Sequence, residues 1–280
     1  LQRIAQMQQK SSLKTIGEIK IESTYRRIGN KVIEAKNICL TANESKDSLV
    51  LIKDFTYSFT QEDRVGIIGP NGSGKSTFLS LLAGKIKPHS GILEIGETIH
   101  IAYLDQYTKE LNRTGRLLDR KVIDFVEEVA QRVTSNGKEI TASQLLEKFL
   151  FLPSEQHKSL SNLSGGEKRR LTLCRMLIRR PNVLLLDEPT NDLDIQTLRV
   201  LEDFLEDFKG CVIVVSHDRY FLDRTVDRIF NFENLRLKRY EGNYSSFLEQ
   251  RKLAGTYQCS EIKSKSTEDI KKGANLVDKD

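Results

Sequence analysis

Eight residues, Gly69-Pro70-Asn71-Gly72-Ser73-Gly74-Lys75-Ser76, follow an apolar strand ending at Ile68 and precede the helix-like run Thr77-Phe-Leu-Ser-Leu-Leu-Ala. Glycines at this density let successive main-chain N–H groups converge on one phosphate without Cβ atoms in the way. Lys75 reaches the outer phosphates of a nucleotide, the Ser76 hydroxyl offers a Mg²⁺ ligand, and the helix opening near Thr77 adds the positive end of its dipole. A strand, a glycine loop and a helix in that order commit the chain to an α/β fold. Ligands of such folds sit at the carboxyl ends of the strands.

The rest of the chain agrees with that constraint. Short apolar strands are expected at Val32–Ala35, Leu49–Ile52, Arg64–Ile68, Ile92–Ile95 and Ile99–Leu104. Leu118, Val122, Val126, Val129 and Val133 then recur at three- and four-residue intervals, the period of one helix face. Thr141-Ala-Ser-Gln144 has the form of a capping box opening a second helix, with Leu145 and Phe149 inward. Helix 167–180, strand Val183–Leu186, helix 195–208 and strand Cys211–Val215 follow, and this alternation implies a parallel sheet.

Composition removes several classes of function. The longest aliphatic runs are strand-sized, far short of the roughly 20 residues that cross a bilayer, and residues 1–20 hold no apolar stretch of signal-peptide type. Four cysteines form no Cys-x-x-Cys pair, which fits a reducing cytoplasm and no cysteine metal site. Residues 1–36 carry eight Lys/Arg against three Glu, and residues 251–280 carry seven against five acids, so both flanks of a near-neutral body are basic. Basic flanks suit either contact with an anionic polymer or simple solubility. Residues 1–31 read as the end of a linker helix, 32–250 as the folded domain with a helical part at about 110–180, and 251–280 as a basic, flexible tail.

Val183-Leu-Leu-Leu-Asp187-Glu188 places two carboxylates where a buried strand reaches the sheet edge. Such a run also suits a strand that simply ends in solvated acids; a phosphate loop upstream in the same α/β chain favours chemistry. Asp187 is then placed to hold Mg²⁺ through water and Glu188 to orient or deprotonate an attacking water. Leu163-Ser164-Gly165-Gly166-Glu167 opens a basic helix with capping-box spacing and two glycines that leave N–H groups accessible, an anion site or an ordinary capped helix. Gln106 and His217 each follow an apolar strand.

Taken in order and spacing, Gly69–Ser76, Gln106, Leu163–Glu167, Asp187–Glu188, Asp194 and His217 resemble the nucleotide-binding domain of ABC ATPases over roughly residues 32–235. The resemblance implies a P-loop NTPase of ABC type: a mixed-sheet core, an N-terminal antiparallel β subdomain and an inserted α-helical subdomain. It implies ATP and Mg²⁺ as cofactors, with Mg²⁺ on Ser76, Gln106 and Asp187. By the same resemblance Gln106 contacts the metal and the attacking water, and His217 the γ-phosphate. Ser164, Gly165 and Gly166 close over a nucleotide held by a second domain, and Asp194 lies at that interface.

Leu186-Asp-Glu-Pro-Thr-Asn-Asp-Leu-Asp194, Ser216-His-Asp-Arg-Tyr-Phe-Leu-Asp223 and Tyr240-Glu-Gly-Asn-Tyr-Ser resemble the ABC-F family, most closely its Uup-like branch. That implies the second of two ATPase domains in one chain, pairing in cis or as a homodimer. It also implies no membrane span and a ribosome or nucleic acid as partner. An ATPase subunit serving a membrane permease is the alternative. One departure is visible: the family's adenine-stacking aromatic has no counterpart near Thr41-Ala42-Asn43, and Tyr57 is expected to follow the next strand. The tail carries no sustained heptad, so no DNA-binding coiled coil is expected of it.

Overall fold

The computed structural model describes residues 32–42, 49–104, 119–129, 132–135, 138–179, 181–191 and 193–253. The linker reading of 1–31, Gln106 and most of the tail reading lie outside these residues. Three strands, β1 (Ile33–Thr41), β2 (Val50–Phe59) and β4 (Ser90–Ile95), form an antiparallel sheet in the order β2-β1-β4. Six more make the central sheet: β3 (Arg64–Ile68), β5 (Ile101–Tyr103), β8 (Val183–Asp187), β9 (Cys211–Val215), β10 (Arg228–Glu233) and β11 (Arg236–Glu241). Their order is β11-β10-β3-β9-β8-β5. Every neighbouring pair is parallel except β10 with β11, so the sheet is mixed.

The two central parallel strands, β8 and β9, read as near-continuous apolar runs because both of their faces are covered. Alternation along β8 divides its side chains: Val183 and Leu185 join a core with α1 (Lys75–Leu82) and the antiparallel sheet, while Leu184 and Leu186 join one with the remaining helices. All four are fully buried, each worth about 1.5–3 kcal/mol relative to an exposed position. Phe78, Leu79, Leu81 and Leu82 of α1 lie in the first core, fixing the helix that continues the phosphate loop.

The second face carries α2 (Val122–Glu127), α3 (Ala142–Lys148), α4 (Gly165–Ile178), α5 (Ile195–Asp207) and α6 (Arg219–Thr225). Thr141 caps α3 with the reciprocal bonds of a capping box to Gln144, as its sequence implies. Residues 244–253 are helical too, three residues past the expected boundary at 250, and Phe247 is buried in the same core.

Two expectations are corrected. Val133 does not extend the α2 face: β6 (Arg132–Ser135) pairs antiparallel with β7 (Lys138–Thr141) inside the helical region. The Asn136-Gly137 pair between two short β-prone runs is a hairpin signal that outweighs a four-residue apolar spacing. Tyr57 does not follow a strand but lies within β2, which runs on to Phe59. Its hydroxyl is engaged by Arg228 and donates to Asp63, so it is a structural side chain. Among the described residues no helix is long and apolar enough to cross a membrane.

Candidate nucleotide site

Register brings the site together. Val215, the last residue of β9, pairs with both Ile67 of β3 and Asp187 of β8. Because these strands are parallel, the phosphate loop after Ile68, the Asp187–Glu188 pair and the Ser216-His217 turn all emerge at one carboxyl edge. That edge is where α/β sheets bind ligands.

The loop's glycines answer steric demands. Gly74 sits at φ 103° in the left-handed region as the cap of α1, and a Cβ there would meet Leu51 side-chain atoms at 3.0–3.3 Å. At Gly69 a Cβ would lie 2.7 Å from Cβ of Phe232. No side chain caps the α1 N-terminus. The Oγ of Ser73 is buried without a hydrogen-bond partner, a polar atom whose desolvation a bound ligand can relieve. Pro70, Asn71, Gly72 and Ser76 are exposed, and Thr77 is half-buried behind them.

Lys75 is buried, and its Nζ donates to the carbonyl oxygens of Gly69 at 3.0 Å and Pro70 at 2.9 Å. Burial lowers its pKa below the ordinary lysine value, against the opposing pull of Glu188 and Asp187. That pull ties the loop cation to the acidic pair. Asp187 accepts a long hydrogen bond from the hydroxyl of Tyr103, at 3.5 Å, and the ring of Tyr103 lies 4.0 Å from the ammonium of Lys85.

Glu188 is the strained residue of the edge. Its φ is 46°, a left-handed conformation costing roughly 1–2 kcal/mol for a residue with a side chain. Its N–H donates to the Val215 carbonyl at 2.9 Å, and its own carbonyl accepts from Arg169 at 2.6 Å and from the Asn191 N–H at 3.3 Å. One carboxylate oxygen accepts from the main-chain N–H of His217 at 3.3 Å; the other lies 3.5 Å from Nε2 of the same residue. The imidazole is largely exposed. A carboxylate held beside an imidazole and a buried ammonium, at the mouth of a glycine loop, can polarise a water against a phosphorus atom.

Ser164, Gly165 and Gly166 lie elsewhere. Ser164 caps α4 in a complete capping box with Glu167, and Ser164 and Gly165 are exposed, with no atom within 4 Å of a Cβ built on Gly165. This helix start faces away from its own chain. Asp194 caps α5, accepting from the Thr197 N–H at 2.8 Å and the Thr197 hydroxyl at 2.9 Å, and it pairs with Arg170 at 3.3 Å. The Thr197 N–H above all holds its carboxyl below the ordinary value. Arg169 and Arg170 were legible only as members of a basic helix; their roles toward Glu188 and Asp194 depend on contacts 19 and 24 positions away.

The donor set suits Mg²⁺. Among the described residues no group of three or more His, Cys, Asp or Glu side chains is arranged to hold a metal. Asp187 and Ser76 offer one carboxylate and one hydroxyl, hard oxygen donors of the kind that suit a metal arriving with phosphates.

The chain is similar to known proteins in sequence and in fold. The family model described as "ABC transporter" matches residues 52–191. "Uncharacterized ABC transporter ATP-binding protein YfmR" of Bacillus subtilis strain 168 is 44% identical over all of this chain and 44% of its own length. "ATP-binding protein Uup" of Escherichia coli K12 is 39% identical over 78% of this chain and 33% of its own. "Energy-dependent translational throttle protein EttA" of Haemophilus influenzae is 40% identical over 81% of this chain and 39% of its own. The chain thus spans less than half the length of each of these relatives. In fold it is similar to the ADP- and Pi-bound dimeric cassette MJ0796, with TM-score 0.58 and 22% identity over 75% of this chain and 98% of that one.

Proposed function

The chain belongs to the ABC transporter family of ATPases, on its ABC-F branch, and we propose that it is one ATP-hydrolysing half of a two-domain protein acting on the ribosome or on nucleic acid. The observation that carries this reading is the seating of Glu188 against His217 at the sheet edge that also presents the phosphate loop.

In this reading the Gly69–Gly74 main chain and Lys75 bind the phosphates of ATP, with Lys75 exchanging its loop carbonyls for phosphate oxygens. Ser76 and Asp187 would hold Mg²⁺, with Gln106 as a further ligand, and the ion would supply positive charge toward the phosphates. Glu188 accepts a hydrogen bond from the attacking water and takes up its proton as the oxygen approaches phosphorus. His217 orients the γ-phosphate. Ser164, Gly165 and Gly166 face outward and would meet a nucleotide held by another domain, so a complete site needs two such domains, with Asp194 near their junction.

The translational part of the proposal is supported by the likeness to the throttle protein EttA, and the nucleic-acid part by the basic flanks. Ribosome co-sedimentation of the full-length protein, with and without ATP, tests it. Pelleting that depends on ATP is expected. Failure to pellet with ribosomes or to retain RNA or DNA, together with capture of a membrane permease, would replace it with the transporter reading.

A further inference from the structure

We infer that Arg169 is a positioning residue for Glu188, linking the helix that starts at Ser164 to the backbone of the proposed catalytic carboxylate. The inference rests on the reading of Glu188 given above. A left-handed conformation in a residue with a side chain persists only where its surroundings over-determine it, and Glu188 is held from three elements. β9 takes its N–H through Val215, the turn after β9 donates to its carboxylate through His217, and α4 donates to its carbonyl through Arg169. The Arg169 contact is the shortest of these at 2.6 Å, and it is charge-assisted. It outranks the 3.3 Å bond that Asn191 makes to the same oxygen.

The next residue of α4 repeats the device. Arg170 reaches Asp194, so adjacent arginines bracket the connection from β8 to α5 at its first and last residues. Both arginines sit on the first turns of the helix whose exposed start, Ser164-Gly165, is the part of the chain a second domain's nucleotide would touch. At about 1.5 Å of rise per residue, Arg169 stands roughly 7.5 Å along the axis from Ser164. A shift or tilt of α4 on engagement therefore acts on the Glu188 carbonyl directly. Arg169 makes the carboxylate of one site responsive to what docks at the outer face of the same domain.

The test uses the full-length protein with Arg169→Met, which keeps the apolar stem and loses the donors, beside Arg169→Lys and Glu188→Gln. ATP affinity, KM and kcat are measured for each. Arg169→Met is expected to lower kcat by about 10- to 100-fold while ATP affinity and KM stay near those of the parent. Arg169→Lys, which still offers a cationic donor, is expected to recover a large part of the loss. If Glu188→Gln stops turnover but Arg169→Met turns over at the parental kcat, the positioning role is wrong and the reading of Glu188 stands. An Arg169→Met protein that fails to fold or to bind ATP makes the arginine architectural, which also overturns the inference. If Glu188→Gln itself hydrolyses ATP at the parental rate, both fall.

Discussion

The ammonium of Lys75 donates to the carbonyl oxygen of Gly69 at 3.0 Å, so the cation of the phosphate loop is stored on the loop's own first residue. Its charge is desolvated there and partly offset by Glu188 and Asp187. A triphosphate replaces neutral acceptors with charged ones. Lys75→Ala is therefore expected to weaken ATP binding by about 10- to 100-fold, the worth of a charge-assisted bond of roughly 1.5–3 kcal/mol. Fluorescence titration with an ATP analogue checks it; unchanged affinity would move the site away from this loop.

Asp63 offers a test of the scaffold independent of the nucleotide. It is buried, pairs with Arg228, and accepts from the Thr60 N–H at 2.8 Å and the Tyr57 hydroxyl at 3.2 Å. Removing one partner of such a pair leaves the other charge uncompensated, so Asp63→Ala is expected to cost about 3–5 kcal/mol of unfolding free energy. Urea denaturation measures this. A loss below about 1 kcal/mol, the level of an exposed ion pair, would mean the cluster is solvated.

The same cluster sets an alkaline limit. Burial, with the Asp63 carboxylate second, raises the pKa of Tyr57 from 10.0 to about 12. The folded chain thus holds the phenolic proton more tightly than the unfolded chain. The resulting stability is complete below pH 10 and is lost as pH climbs from there through about 12. Tyr57→Phe should flatten that decline in urea midpoints. Equal slopes for the two proteins would show that the phenol titrates normally.

Much of this was legible in the residues. Gly69–Ser76 stood out as a glycine loop between a strand and a helix, and it forms there, between β3 and α1. The short aliphatic runs Val183–Leu186 and Val212–Val215 are strands covered on both faces. The capping boxes at Thr141 and Ser164 are local, and both form. What depended on distant partners was not legible. Val133 shares a helical spacing with Val126 and Val129, yet it pairs with Ile140 in a hairpin. Tyr57 looked like a residue beyond its strand until Arg228, far along the chain, is found on its hydroxyl. Arg169 has no local signature beyond its basic helix: only the packing of α4 on the central sheet brings the Glu188 carbonyl within its reach.

Composite sites predict a dependence on concentration. On the proposed reading this domain supplies one phosphate loop and one Ser164-Gly165-Gly166 loop, so the domain on its own would need a second copy to complete a site. Turnover per molecule should rise with protein concentration until pairing saturates. A dilution series followed by phosphate release checks it, and constant turnover per molecule across the series would show that one chain suffices.

Glu188→Gln separates the proposed base from the backbone that holds it. The amide is nearly isosteric, so the left-handed backbone, the Val215 and Arg169 bonds and the Asp187 side of the site should survive. The carboxylate proposed to accept a proton from the attacking water does not. The measurement is single-turnover phosphate release from ATP, with ATP affinity measured on the same preparation. ATP affinity is expected to at least equal that of the parent, and phosphate release to fall by about 100-fold or more, the scale of a lost general base. Release near the parental rate, with ATP still bound, would contradict it and leave Glu188 a structural acid.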